Sequence, residues 1–258
     1  MNSFLQQTEV RRQLSRSSMY KLLAKAFLYP TEDLVDGLFH RSQADVLSSF
    51  LTLGDQSQEM EGALQFFREL LSSRTWVERR PELEQEYNRL FAHLGSAKCP
   101  PYETEYGYDN IFQKTEAMGD IAGFYRAFGL EVSEDNAERV DFIAMELEFM
   151  SFLAMKESYA IEQHESEHFE VCRDAERKFL QDHLGRWTKI FASILLNSTS
   201  NPFYSQLGNL LAQFVTADTR ILGVEPKEVT SRLEAAQSVN EPLGCNGCSM
   251  EPQERQPS

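Results

Sequence analysis

Two segments of the chain carry carboxylates and aromatic rings at spacings that suit ligand binding. The first, which we call the acidic loop, is Cys99–Gly107 and reads Cys-Pro-Pro-Tyr-Glu-Thr-Glu-Tyr-Gly. Because proline restricts the backbone, we expect the loop to present Tyr102, Glu103, Glu105 and Tyr106 at little cost in conformational entropy. The residues fit equally well a loop that packs both tyrosines on the core and leaves both glutamates at the surface.

The second segment, Glu138–Met150, predicts a helix that is apolar on nearly every side. Glu138, Asp141 and Glu148 are spaced by about one and two helical turns, so we expect their carboxylates to form one narrow stripe. A carboxylate on a buried helix face is costly unless a partner compensates its charge. That partner is either an internal arginine, such as Arg126, or a cationic ligand.

Helices must position these side chains, because apolar residues recur at helical spacing along most of the chain. Pro30 is expected to end the first apolar helix, and Thr31 to cap the next one. No segment alternates apolar and polar residues for long enough to predict a sheet. The pattern therefore predicts an all-α fold with one helical domain. Later helices are predicted over Gln58–Leu71, Pro81–Phe91, Ile111–Phe128 (ended by Gly129), Ser133 to about Ala160, Phe169–Leu184, Arg186–Leu196 and Pro202–Thr216.

The composition changes after Gly223, where the chain becomes polar and contains several prolines. We expect a helical domain over residues 1–222 and a flexible tail over residues 223–258, with one short helix near Lys227–Gln237.

The formal net charge of −15 and a pI near 4.8 argue against partners that are nucleic acids or anionic membrane surfaces. They favour a basic partner. No apolar run is long enough to span a membrane, and the N-terminal residues lack a signal-peptide core. The four cysteines then indicate thiols in a reducing compartment, and we expect the protein to be cytoplasmic.

Two motifs match the patterns of other classes of protein, although a charged surface turn at the first and tail thiols at the second explain them as well. His164-Glu165-Ser166-Glu167-His168 has the spacing of a zinc hydrolase motif, although its surroundings are polar. Cys245 and Cys248 form a C-x-x-C pair that supplies two of the four ligands of a closed metal site, with Cys99 and Cys172 as further candidates. A metal or Fe–S carrier therefore remains an alternative. No phosphate-binding loop or nucleophile elbow occurs, and we do not expect an enzyme.

Four segments, in this order, are similar to the TorD/DmsD/NarJ family of molybdoenzyme maturation chaperones, also called redox enzyme maturation proteins. Tyr20–Pro30 resembles the family's opening helix, and the acidic loop contains its Pro-Tyr-Glu-x-x-Tyr pattern. Glu-x-x-Asp followed by Asp-x-Ile-x-x-Glu-Leu-Glu-Phe-Met occurs within Glu138–Met150. Phe179–Trp187 matches Phe-x-x-x-His-Leu-x-x-Trp and precedes Asn201-Pro202-Phe203-Tyr204.

One departure from the family pattern affects the site. The family signature Glu-Pro-x-Asp-His reads Glu138-Arg139-Val140-Asp141-Phe142 in this chain. The resemblance therefore transfers the role of the aspartate to Asp141. It transfers no role of the family's histidine to Phe142.

The resemblance implies an all-α fold of about nine to eleven helices and a cytoplasmic, system-specific chaperone. Such a chaperone binds the apo catalytic subunit of a molybdopterin oxidoreductase and its twin-arginine leader peptide, assists insertion of the molybdenum cofactor and delays export until assembly is complete. No resident cofactor is required, and a transient contact with the molybdenum cofactor or a guanine nucleotide is left open. The client enzyme and the choice between monomer and homodimer are left open as well.

A twin-arginine leader is a cationic segment followed by an apolar one, so its receptor should offer carboxylates beside an apolar surface. We expect Asp141 and Glu138 to bind the cationic part, with Tyr102 and Phe142 as aromatic anchors. The full set of predicted client and leader contacts is Tyr102, Glu103, Glu105, Tyr106, Glu138, Asp141, Phe142 and Glu148.

Overall fold

The computed structural model describes residues 3–51, 58–73, 75–92, 97–131 and 138–230. Within these ranges the chain forms ten α-helices of seven residues or more and one four-residue turn, with no β-strand. The predicted all-α fold is confirmed. The helices are α1 (Ser3–Ala26), α2 (Glu32–Leu38), α3 (Arg41–Leu51), α4 (Gln58–Ser72), α5 (Thr75–Glu78, the short turn), α6 (Arg80–Phe91), α7 (Ile111–Ala127), α8 (Ile143–Gln163), α9 (Ser166–Phe179), α10 (Gly185–Ser198) and α11 (Pro202–Leu222).

Local signals in the sequence set several helix ends. The hydroxyl of Thr31 accepts a hydrogen bond from the amide of Leu34 at 3.3 Å, which is the predicted N-cap of α2. After α7, Gly129 adopts a left-handed φ of +71° that favours glycine, and the next amide donates back to the carbonyl of Tyr125 at 2.9 Å. The predicted cap Ser133 lies outside the described residues.

Helices α9 and α10 are joined by a π-helical turn, Leu180–Leu184, so the helical backbone runs from Ser166 to Ser198. The predicted helices Phe169–Leu184 and Arg186–Leu196 are confirmed, with the predicted boundary between them at Gly185, but the π-helical turn that joins them was not predicted. Gly185 closes the turn: a Cβ atom at this position would lie 2.4 Å from the carbonyl oxygen of Leu180. The wider turn brings His183 into the interior, where it is 3% exposed.

The central contact of the fold is between α1 and α8. Ser17 donates to the carbonyl of Ser151 at 2.8 Å, and Ser151 donates to the carbonyl of Ser17 at 2.9 Å. These reciprocal bonds between small side chains allow the two backbones to approach closely. Around this contact, α3, α4, α9, α10 and α11 enclose an aromatic core.

A buried charge network, centred on Arg16, links α1 to α8, α9 and α11. The guanidinium donates to Asp218 at 2.6 and 2.8 Å and to Glu176 at 2.9 Å, and Glu157 lies 3.3 Å away. Glu157 also pairs with Arg173. Burial raises the pKa of Glu176 to about 8, so this side chain is mostly protonated at neutral pH. The ion pairs of Arg16 and Arg173 with these carboxylates offset much of the free-energy cost of burying the network.

The chain after α11 packs on the domain as far as the structure describes it. Residues 224–230 have no helical hydrogen bonding, so the short helix predicted near Lys227–Gln237 is absent at residues 227–230. The rest of the predicted tail, with Cys245 and Cys248, lies outside the described residues. The division of the chain after residue 222 stays a prediction. In the described part of the chain, no helix combines the length and apolar character of a membrane span.

Candidate functional site

The acidic loop pairs with the residues that precede α8. Tyr102 and Phe142 form an isolated antiparallel bridge, and the amide of Glu103 donates to the carbonyl of Asp141 at 2.9 Å. Phe142 has an extended backbone, with φ −73° and ψ 134°. Because this pairing uses backbone groups that a helix would need, α8 begins only at Ile143.

The predicted stripe of three carboxylates on one helix is therefore wrong. Glu138 and Asp141 precede α8, whereas Glu148 lies within it. Their spacing matches whole turns of a helix, but the backbone of residues 138–142 is not helical.

The carboxylate of Asp141 is fully buried and compensated within the protein. Arg139 donates to it twice, at 2.9 Å from Nε and 2.8 Å from Nη2. Thr104 donates through its amide at 3.1 Å and its hydroxyl at 2.8 Å. The internal partner is thus Arg139 rather than Arg126, whose Nε donates to the carbonyl of Ala122. Arg139 and Thr104 thus provide partners for both oxygens of Asp141 within the protein.

Tyr102 and Glu138 form the partly exposed side of this arrangement. The hydroxyl of Tyr102 donates to Glu138 at 3.2 Å, and the guanidinium of Arg139 lies 4.2 Å from the centre of the tyrosine ring. Burial, reinforced by the carboxylate of Glu138, raises the pKa of Tyr102 to about 12. The hydroxyl therefore remains a hydrogen-bond donor at any physiological pH.

The other predicted residues of the acidic loop point in different directions. Glu105 is partly exposed and lies 3.3 Å from Lys114 and 3.5 Å from Arg139. Tyr106 is buried, and its ring stacks on Trp187 with centroids 5.3 Å apart. Phe142 is also buried, with its ring 5.7 Å from that of Tyr102. These contacts make Tyr106 and Phe142 part of the core.

The sequence analysis missed a buried polar cluster that joins the acidic loop to α8 and the π-helical turn. Glu103 accepts from the hydroxyl of Tyr108 at 2.5 Å and lies 3.2 Å from Nδ1 of His183. Nε2 of His183 lies 3.1 Å from Asp120. Glu146 accepts from the indole of Trp187 at 3.2 Å. A carboxylate between two apolar residues at Met145-Glu146-Leu147 was the available signal.

The surroundings of Glu146 in this cluster disfavour its ionised form. Burial, and next the charge of Glu103, raises the pKa of Glu146 well above its usual range. This shift favours the neutral form of Glu146, which still offers an oxygen to the indole of Trp187.

An apolar groove of about 540 Å³ opens between α1, α3, the end of α7 and α8. We call it the apolar groove. Its walls include Leu22, Val46, Leu130, Met145, Phe149, Phe152 and Met155, with Lys21, Lys25, Gln43, Glu131 and Glu148 among the polar lining. Glu148 pairs with Lys21, and both side chains are about half exposed, at 53% and 47%. Among the predicted contacts, Glu148 lines this groove.

A polar cleft of about 860 Å³ lies on the other side of α7. It is formed by α7, the π-helical turn and the chain after α11, and we call it the polar cleft. Its lining includes Tyr108, Glu116, Asp120, Gln181, Asp182, His183, Arg186 and Lys227. Charges of both signs face it, so it is chemically distinct from the apolar groove.

The zinc hydrolase geometry is not formed. His164 ends α8 in a left-handed conformation with φ +60°, and His168 lies in the first turn of α9. The two imidazoles are therefore not presented by one helix. Cys99 is buried and points toward the carbonyl of Phe191 at 3.6 Å, and Cys172 is buried in α9. In the described part of the chain, no three His, Cys, Asp or Glu side chains are arranged so that they could hold a metal ion.

Residues 53–193 match the family model described as "Nitrate reductase delta subunit". The match covers more than half of the chain, so the protein belongs to this TorD/NarJ-like family, and the predicted resemblance is confirmed.

Three relatives carry names that state a role. The selenate reductase assembly chaperone protein of Thauera selenatis is 31% identical over 153 residues, covering 57% of this chain and 74% of the relative. The perchlorate reductase assembly chaperone protein of Dechloromonas aromatica is 28% identical over 213 residues, covering 81% and 90%. Chaperone protein TorD of Photobacterium profundum is 24% identical over 179 residues, covering 69% and 82%.

Proposed function

We propose that this protein is a cytoplasmic assembly chaperone for the catalytic subunit of a molybdopterin oxidoreductase, which we call the client. In this role it binds the apo client and its twin-arginine leader, holds them while the molybdenum cofactor is inserted, and delays export. It performs no chemical step itself. The names of its relatives support assembly of a reductase, and the observation that carries the proposal is the apolar groove.

The groove has the chemistry required to hold an apolar helix. Met145 and Met155 are unbranched and adapt their shape to different partners, while Phe149 and Phe152 offer rigid apolar area. Met155 is 48% exposed and lines the groove beside Phe152, so apolar surface is accessible there. An amphipathic leader helix would bury this surface.

The rim of the groove offers a site for a basic residue. Glu148 forms an exposed ion pair with Lys21, and such pairs stabilise a protein by only about 0–1 kcal/mol. A guanidinium of the leader can therefore replace Lys21 at little cost in free energy. The net charge of −15 accelerates the encounter with a cationic segment.

The predicted contacts divide into two groups in this proposal. Glu148, Tyr102, Glu105 and Glu138 are at least partly exposed, and we retain them as client contacts. We assign a supporting role to the buried residues Glu103, Tyr106, Asp141 and Phe142, which fix the acidic loop to α8 and the core.

Affinity purification of the tagged protein from its own host, followed by mass spectrometry, tests the function. We expect a molybdopterin oxidoreductase catalytic subunit to co-purify with the wild type and to be lost with Met155→Asp. Val171→Asp is the matched control, because Val171 is 53% exposed on α9 and does not line the groove. Circular dichroism verifies that both variants fold. If no oxidoreductase co-purifies under inducing conditions, the proposed function is wrong; equal retention by both variants would reject the groove as the site.

A further inference from the structure

The chain after α11 forms a strap across the junction of α9 and α10. Gly223 ends α11 with a left-handed φ of +67°, and residues 224–230, which we call the strap, then cross the π-helical turn. The amide of Val229 donates to the carbonyl of Arg186 at 2.8 Å. Val224 and Val229 are partly buried against the core. The strap is therefore a docked segment with its own receptor surface.

One side chain of that surface recognises the backbone of the strap. The carboxamide of Gln181 accepts from the amide of Glu225 at 3.0 Å and donates to the carbonyl of the same residue at 2.6 Å. This two-point contact does not depend on which side chain occupies position 225. Contacts to backbone groups of this kind are how proteins hold non-helical peptides of varied sequence.

Two glycines leave room for the side chains of the strap. A Cβ atom at Gly185 would lie 2.6 Å from Pro226, and one at Gly107 would lie 2.8 Å from Val229. Gly107 also has a φ of +77°, which other residues rarely adopt. The side chains of Pro226 and Val229 thus pack directly against the backbone of Gly185 and Gly107. The surface has both backbone recognition and shaped depressions, the two components of a peptide groove.

The same surface borders the candidate site. Gly107 ends the acidic loop, and Lys227 of the strap lines the polar cleft together with Tyr108, Asp120 and Arg186. The pair between Lys189 and Glu228 is exposed and adds little to the docking. Lys227 thus brings the strap to the edge of the polar cleft, while the hydrogen bonds of Glu225 and Val229 hold the strap in place.

We propose that the surface formed by Gly107, Gln181, Gly185 and Arg186 is a recognition groove for a non-helical peptide, which the strap fills in cis and a segment of the client displaces. The groove itself follows from the contacts of the strap; the identity of the displacing peptide rests on the proposed function. A tethered segment acts at an effective concentration of about millimolar. The client segment must therefore bind the groove tightly enough to compete with the strap.

The test uses full-length protein in which the strap is weakened by Pro226→Asp and Val229→Asp. The probe is a fluorescent synthetic peptide with the sequence of residues 222–231, Leu-Gly-Val-Glu-Pro-Lys-Glu-Val-Thr-Ser. By fluorescence anisotropy, we expect this double variant to bind the probe at least about tenfold more tightly than the wild type, whose groove is filled. Adding Gln181→Ala should abolish the gain. Equal binding by wild type and double variant, or by the variant with and without Gln181→Ala, would overturn the proposal.

Hydrogen exchange on the wild type provides a measurement that needs no variant. Excess unlabelled probe should accelerate exchange at the amides of Glu225 and Val229, since both lose their partners when the strap leaves. If exchange at these amides is unchanged at a saturating concentration of the probe, the strap and the probe do not compete for one groove. The client recovered by affinity purification is then added in place of the probe. If the probe releases the strap and this client does not, the groove stands and its assignment to the client is wrong.

Discussion

Arg139 donates two hydrogen bonds, of 2.9 and 2.8 Å, to the carboxylate of Asp141. A single residue separates Arg139 and Asp141 in the sequence. Thr104 completes the arrangement from the acidic loop. A carboxylate of the family pattern is thus used to fasten the acidic loop to the start of α8. We therefore expect Asp141 to contribute to stability rather than to contact the client directly.

We predict that Asp141→Asn lowers the free energy of unfolding by about 2–3 kcal/mol, because it weakens the hydrogen bonds that the carboxylate accepts from charged and neutral donors. Urea denaturation followed by circular dichroism measures the change. At a temperature where the variant is fully folded, it should still retain the client in the affinity purification. A variant as stable as the wild type that fails to retain the client would instead make Asp141 a direct contact.

Glu148→Gln should weaken retention of the client and leave the free energy of unfolding nearly unchanged. Because its pair with Lys21 is about half exposed, the free energy of unfolding should change by less than about 0.5 kcal/mol. Retention of the client should fall, since the rim of the apolar groove loses its charge. Glu170→Gln, another exposed glutamate, on α9, is the control and should leave both quantities unchanged. Equal retention by the two variants would remove Glu148 from the site.

The buried network around Arg16 predicts a pH dependence. The pKa of Glu176 is about 8 in the folded protein, above its ordinary value of 4.5. Between these two values the unfolded chain has released a proton that the folded protein keeps, so the free energy of unfolding falls as pH rises, by at most about 1.4 kcal/mol per pH unit.

Glu176→Gln removes this contribution, so its stability relative to the wild type should increase from pH 5 to pH 8. Thermal unfolding across that range measures it. Asp174→Asn, at an exposed position on the same helix, should show no such trend. Parallel pH profiles for Glu176→Gln and the wild type would mean that Glu176 is ionised within the network.

Glu146 and Trp187 allow a test of the buried polar cluster. Glu146→Gln preserves an acceptor for the indole and resembles the neutral acid, so we expect stability within about 1 kcal/mol of the wild type at pH 7. Glu146→Leu leaves the indole N–H buried without its partner and should cost about 1–3 kcal/mol more. Chemical denaturation of the two variants measures the difference. Equal stabilities would show that the bond to Trp187 contributes nothing.

The sequence predicted the helices and helix ends that depend on residues close together in the chain. Helical periodicity located α4, α6 and α7 to within about one residue, and Thr31 and Gly129 act at helix ends as their chemistry suggests. The start of α8 was missed because carboxylate spacing alone cannot reveal that Phe142 pairs with Tyr102. That contact depends on a distant segment.

For the same reason, the sequence could single out Glu146 as a carboxylate among apolar residues but could not identify its partners in the buried polar cluster. Glu103, Glu146 and His183 come from three separate segments and meet only in the folded protein. The π-helical turn that turns His183 inward has no recognised sequence signal in this chain. Membership of the family could be inferred because it depends on the order of motifs rather than on the contacts between them.

The link between Arg16 and Asp218 has a consequence for the order of folding during synthesis. The two residues are 202 positions apart, so α1 leaves the ribosome long before the partner of its buried arginine exists. Until α11 emerges, burying Arg16 would leave part of its charge uncompensated, and α1 has reason to remain undocked. Because α1 forms one wall of the apolar groove, we expect the groove to be complete only once α11 has been made. If the apolar groove binds the client as proposed, we expect client binding to begin only after α11 has been synthesised and docked.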